Sequence, residues 1–141
     1  MKIHFCRSSD IGGALIRFFT FSDWNHVAVE VNGTVYEATM SGGVSAHKPG
    51  ERLWDKVDTI RIDDFDDNAA ESFLMKQLGK PYDWKALLAL PLRNDWQEES
   101  AWFCSELVAK ALVVAGVFRL LTPADRITPG DVRLLVGTKY A

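Results

Sequence analysis

Trp24-Asn25-His26-Val27-Ala28-Val29-Glu30-Val31-Asn32-Gly33-Thr34-Val35-Tyr36-Glu37-Ala38-Thr39 holds two alternating segments around an Asn-Gly pair. Asn-Gly is the favoured dipeptide for a two-residue type I′ turn, because both residues tolerate positive φ. If that turn forms, the register follows. Val31 faces Thr34, Val29 faces Tyr36 and Val27 faces Ala38, and these six make a mostly apolar face. The other face carries His26, Ala28 and Glu30 beside Val35, Glu37 and Thr39. Glu37 pairs with Ala28 and is thus a diagonal neighbour of His26, at roughly 5–8 Å between Cβ atoms. The hairpin therefore sets a carboxylate where it can orient an imidazole. Its apolar side supplies a core, so the His26/Glu37 side is expected to face solvent or a cleft.

Far downstream, Trp102-Phe103-Cys104-Ser105-Glu106-Leu107-Val108-Ala109-Lys110-Ala111-Leu112 reads as an apolar-striped helix. Cys104, Leu107, Val108, Ala111, Leu112 and Ala115 share one face. Cys104 thus sits at the amino end, where free backbone N–H groups and the helix dipole favour an anion. Taken alone, such a cysteine reads first as a small buried hydrophobe. A thiol nucleophile needs a base, and the base needs a group to fix its tautomer. Cys104, His26 and Glu37 fit those three roles.

Between these stretches the chain reads as a small mixed fold. Lys2–Cys6 is expected to be a strand and Ile11–Phe19 a short helix. Ser41-Gly42-Gly43-Val44-Ser45-Ala46-His47-Lys48-Pro49-Gly50 is a loop by composition. Lys56–Ile62 reads as a strand. The acids of Asp63–Asp67 read as the cap of a helix over Asn68–Leu78 rather than as metal ligands, since they lack a calcium-loop pattern. Gly79-Lys80-Pro81-Tyr82-Asp83-Trp84 stops that helix, and Lys85–Leu90 is a short helix ended by Pro91. Asn94–Ser100 is expected to be loop. Thr122-Pro123 and Thr128-Pro129 are turn or helix-start signals, and Val132–Val136 is expected to be a last strand.

The 141 residues suit one domain over 1–141, with a real core. A net charge of −3 without a basic run gives no reason to expect a nucleic-acid partner. The longest apolar runs fall far below a membrane span, so no integral membrane segment is expected. No apolar leader is visible after Met1, and a cytoplasmic location is expected on that ground. Two cysteines do not suggest a disulfide scaffold. No cofactor and no metal are expected. Five tryptophans are many for this length, and Trp24, Trp84 and Trp102 are candidates either for lining a cleft or for the core.

Several of these segments together resemble a known family. Trp24-Asn25-His26-Val27-Ala28-Val29, Val35-Tyr36-Glu37-Ala38, Gly79-Lys80-Pro81-Tyr82-Asp83-Trp84, Phe103-Cys104-Ser105-Glu106-Leu107-Val108 and Thr128-Pro129-Gly130-Asp131 are similar to the circularly permuted branch of the NlpC/P60 papain-like hydrolases. In the ordinary branch the cysteine helix precedes the histidine strand, whereas here the histidine comes first. The resemblance implies an α+β fold, with a small antiparallel sheet packed against the cysteine-bearing helix. It implies Cys104 as nucleophile, His26 as base and Glu37 as the third polar residue. The implied activity is amide hydrolysis by a cysteine peptidase or amidase, with peptidoglycan stem peptides among the substrates. Relatives of the permuted branch also imply lipid amide or ester hydrolysis, or acyl transfer. Phe103-Cys104-Ser105-Glu106 departs from the Asn-Cys-Glu-His signature of the acyltransferases. A wall substrate sits poorly with the missing leader, which leaves a phage product or an exported effector as alternatives. A binding module with a decayed site is the non-enzyme alternative. Cys6 is a rival thiol, and His4 and His47 are rival bases. Glu106 points to a different helical face from Cys104. Tyr82 and Asp83 are candidates to border the cleft, Tyr82 as a donor to an oxyanion, with turn chemistry as the alternative.

Overall fold

The computed structural model describes residues 1–9, 23–83, 101–120, 124 and 127–140. The helices expected at Ile11–Phe19 and Lys85–Leu90, the loop at Asn94–Ser100, Trp84 and Thr122-Pro123 lie outside the described residues.

The Asn32-Gly33 turn forms as the sequence requires, with φ of 50° and 76° at its two residues. It joins β2 (His26–Val31) to β3 (Thr34–Thr39), with Val31 opposite Thr34 and Val29 opposite Tyr36. β1 (Lys2–Arg7) pairs with β2 on its other side and with β5 (Lys56–Arg61) beyond. With β4 (Gly43–His47) at the far edge, the five strands run β4-β3-β2-β1-β5, and every pairing is antiparallel.

One face of this sheet is the core. Ile3, Phe5, Val27, Val29, Tyr36 and Ala38 alternate inward along three strands and are buried. Against them lies the cysteine helix, here α2 (Cys104–Val114), which packs on β2 and β3. Its stripe of Leu107, Val108, Ala111 and Leu112 is fully buried. Each of the leucines and the valine contributes about 1.5–3 kcal/mol through removal of apolar surface from water. α1 (Asp67–Gln77) rests on α2, and Asp66 caps it by accepting from the Ala69 N–H at 2.9 Å. The acids at 63–67 thus include a helix cap, as their position suggested. The described residues make an α+β fold with three helices and a five-stranded antiparallel sheet. No helix among them is long and apolar enough to cross a membrane.

Two expectations fail. The stretch at 41–50 is not simply loop, because Gly43–His47 forms β4 along β3. Its composition hid it, since an edge strand needs few apolar side chains and only Val44 of this one is buried. Gly43 has φ of 63°, and a Cβ there would collide with the Lys80 carbonyl, so glycine is required both by conformation and by space. Val44 N–H donates to that same carbonyl at 2.9 Å and ties β4 to the turn after α1. Gly43→Ala is therefore expected to destabilise the fold by about 1–3 kcal/mol, read as a lower urea midpoint. An unchanged midpoint would show that the close approach is not required.

The second failure is Val132–Val136, which lies inside a helix, α3 (Pro129–Tyr140). Val132, Leu134 and Val136 alternate like a strand, yet Leu134 is 68% exposed while Pro129, Val132 and Val136 are buried at helical spacing. The deciding signal was the cap. Thr128 Oγ1 donates to Asp131 Oδ2 at 2.7 Å and accepts from Asp131 N–H at 3.2 Å, with Pro129 in the first helical position.

Candidate active site

β2 begins with His26, and the chain just before it is tightly held. Asn25 N–H donates to the Cys6 carbonyl, and the Asn25 side chain bonds Ser8 through both its oxygen and its nitrogen. Cys6 lies directly opposite His26 in the β1–β2 ladder. These bonds fix the backbone from which the imidazole projects.

Both faces of β2 are covered, so the polar face of the hairpin is not open to solvent. His26 is 7% exposed and Glu37 1%. His26 Nε2 meets Glu37 Oε2 at 2.6 Å. The diagonal relation deduced from the turn thus becomes a direct hydrogen bond. That leaves Nδ1 free of Glu37, and Cys104 lies close enough to the ring to raise its pKa. Cys104 is the first residue of α2, with Phe103 at the N-cap giving no side-chain bond to the helix end. The three residues picked from sequence therefore come together. Cys104 itself is 1% exposed, buried against His26.

Glu37 serves more than one partner. His47 Nε2 lies 3.1 Å from Oε1, and Arg52 Nη1 donates to the same oxygen. Burial pushes the Glu37 carboxyl up, but His26, Arg52 and His47 outweigh it and hold the group down at about 2. For His26 burial alone would lower the pKa, but the hydrogen bonds and charges of Cys104 and Glu37 raise it to about 9. The imidazole is then protonated at neutral pH and donates to Glu37. Such a ring is a proton donor beside a thiol, poised between a carboxylate and a sulfur.

No protein-family model matches the chain, and no curated protein matches its sequence. The case for the site rests on its own geometry.

The rival candidates fall into clear places. Burial, with Glu37 and Cys104 nearby, pushes the Cys6 thiol up to about 12, so it stays protonated. His4 lies in a separate cluster, bonded to Thr59 and Glu30. His47 meets Glu37 through Nε2 and the Lys48 carbonyl through Nδ1, and no hydrogen bond joins it to Cys104 among the described residues. Tyr82 is buried, and burial together with Cys104 and Asp83 pushes its hydroxyl up, which keeps it a donor. Its segment pairs with 101–102: Trp102 N–H donates to the Pro81 carbonyl, and Asp83 N–H to that of Trp102. Trp24 and Trp102 join the core.

Sequence reasoning missed three residues. Trp54 stacks on His26 with ring centroids 4.7 Å apart and planes 19° from parallel. Arg52 lies 5.5 Å from the Trp54 ring centre and reaches Glu37. Both stand between β4 and β5, and no local pattern marks them. Recognising β4 would have brought this connection to the Glu37 edge of the sheet. Ser105, the third, donates to the Ile127 carbonyl and ties the first turn of α2 to the approach to α3. A cavity of about 300 Å³ opens beside His26, lined among others by Tyr82, Thr39, Met40, Arg52 and Trp54. Among the described residues no cluster of three metal-ligating side chains occurs.

Proposed function

We propose that this protein is a thiol hydrolase of the permuted NlpC/P60 papain-like kind, cleaving an amide bond through an acyl-enzyme on Cys104. The observation that carries the reading is His26 held between Glu37 and Cys104, with a raised pKa. In this mechanism the thiolate of Cys104 attacks the carbonyl carbon while the His26 imidazolium stands beside it. The Cys104 backbone N–H, at an uncapped helix start, and the Tyr82 hydroxyl are the donors for the oxyanion. The C–N bond breaks as His26 passes its proton to the leaving amine. Water then adds to the thioester carbon, His26 takes its proton, and the C–S bond breaks to release the acid. Glu37 keeps Nε2 protonated and Nδ1 directed at sulfur throughout.

Peptide amides, including peptidoglycan stem peptides, are the first substrate class. Lipid amides or esters, with hydrolysis or acyl transfer, are the second, favoured by one observation. Leu53 is 90% exposed at the cavity rim, between Arg52 and Trp54, where an acyl chain would lie. Incubation with labelled peptidoglycan, peptide amides, short-chain esters and lipid amides separates the classes. Product is expected from at least one substrate and lost in Cys104→Ala. If Cys104→Ala retained turnover, the hydrolase reading would fall, and a biological effect undiminished in that variant would point to a binding module.

A further inference from the structure

The cavity beside His26 has a charge pattern that the hydrolase reading does not use. Its lining holds two side chains that carry charge, Arg52 and His26, and both are cationic. The rest of its polar lining comes from Ser8, Asn25, Thr39, Ser41 and Tyr82, which are neutral, while Glu37 lies buried beneath. Glu37 offsets one of the two positive charges. The charge of a Cys104 thiolate passes to the oxyanion when sulfur bonds to carbon, and His26 becomes neutral as its proton leaves with the amine, so Arg52 is the cation that stays on the cavity wall throughout.

Arg52 is also held ready. Its Nη1 donates to Glu37, and its guanidinium lies over the Trp54 ring. Among the described residues Glu37 is its one hydrogen-bond partner, so its remaining N–H donors are available. The side chain is 37% exposed, unlike the buried carboxylate it pairs with. A guanidinium fixed on one side and open on the other suits bidentate capture of a planar or tetrahedral oxyanion.

We propose that Arg52 recognises an anionic group on the substrate, so that the cavity takes acyl compounds bearing a carboxylate or a phosphate near the bond attacked. The inference rests on Cys104 being the nucleophile. Arg52 acts on specificity, and its role as a partner of Glu37 is separate.

Two alkylating agents of nearly equal size test this on the full chain. Iodoacetate carries a carboxylate and iodoacetamide does not. Second-order rates at Cys104 are measured for both by mass spectrometry at pH 6.5, with 2-mercaptoethanol as the reference thiol. The iodoacetate-to-iodoacetamide ratio at Cys104 is expected to exceed the reference ratio by about tenfold, and to shrink in high salt as screening requires. Arg52→Gln is expected to remove most of that preference, and Arg52→Lys to keep part of it. The ratio cancels any general loss of reactivity caused by disturbing Glu37. A ratio that Arg52→Gln leaves unchanged overturns the proposal, because His26 would then account for any preference. Protection of wild-type Cys104 from iodoacetamide by acetate, but not by inorganic phosphate, assigns a carboxylate; the reverse assigns a phosphate; protection by neither counts against the site. Failure of the underlying reading looks different, since iodoacetamide would then react at Cys104 no faster than in His26→Ala.

Discussion

His26→Ala is expected to slow alkylation of Cys104 by iodoacetamide at pH 6 by about a hundredfold. A cysteine without a cationic partner ionises near ~8.5 and is about 0.3% thiolate at pH 6. The thiolate is the reacting species, so a cysteine with an imidazolium beside it reacts far faster at that pH. His26 is that neighbour, with a pKa raised to about 9 by Cys104 and Glu37. Cys6 is an internal control, because its thiol is pushed up to about 12 and should stay unlabelled in both proteins. Turnover on any substrate should fall by about 10²–10⁴, the usual contribution of a positioned acid–base group. Equal labelling rates in wild type and variant would mean that the pair does not activate the sulfur.

The second large effect is on stability. Glu37 is 1% exposed and is the shared acceptor for His26, His47 and Arg52. Glu37→Gln removes the counter-charge of the buried His26 imidazolium and of the partly exposed Arg52 guanidinium, a loss of about 3–5 kcal/mol when one partner of a buried pair such as His26–Glu37 is removed. The pH profile carries the signature. Glu37 falls from 4.5 to about 2 on folding, so its contribution is complete above pH 4.5 and is lost as pH falls through 2. His26 rises from 6.5 to about 9, so its contribution is complete below pH 6.5 and is lost as pH rises through 9. Together they predict greatest stability between about 4.5 and 6.5, with a limb falling on each side. The His26 limb amounts to roughly 3 kcal/mol from its shift. Urea unfolding followed by tryptophan fluorescence across this range should show both limbs in wild type and flatter ones in Glu37→Gln. Parallel profiles would show that the pair does not couple to folding.

The site was legible in the sequence to the extent that it depends on a turn. Asn32-Gly33 fixes the register, the register sets Glu37 diagonal to His26, and the structure closes that gap to 2.6 Å. α2 was legible because its apolar stripe is wide and regular. β4 was not, because one buried Val44 in a polar, glycine-rich stretch gives no alternation. α3 was misread because Val132, Leu134 and Val136 match a strand period, while the Thr128–Asp131 cap and the Pro129 start spoke for a helix. Trp54 and Arg52 were beyond local reading altogether. Their roles come from a connection that packs against the polar face of the sheet, and only long-range structure places it there. Covering that face is what turns a His–Glu pair on a strand surface into a buried, strongly perturbed one.

The most direct test of the account is an NMR titration of the His26 ring in wild type and in Cys104→Ala. Coupling to the thiol and to Glu37 predicts a midpoint near 9 in wild type. Removing the sulfur removes one of the two groups that raise it, so the midpoint should drop clearly in Cys104→Ala while the Glu37 bond persists. A wild-type midpoint near 6.5, or one that stays the same when Cys104 is replaced, would contradict a coupled cysteine–histidine pair.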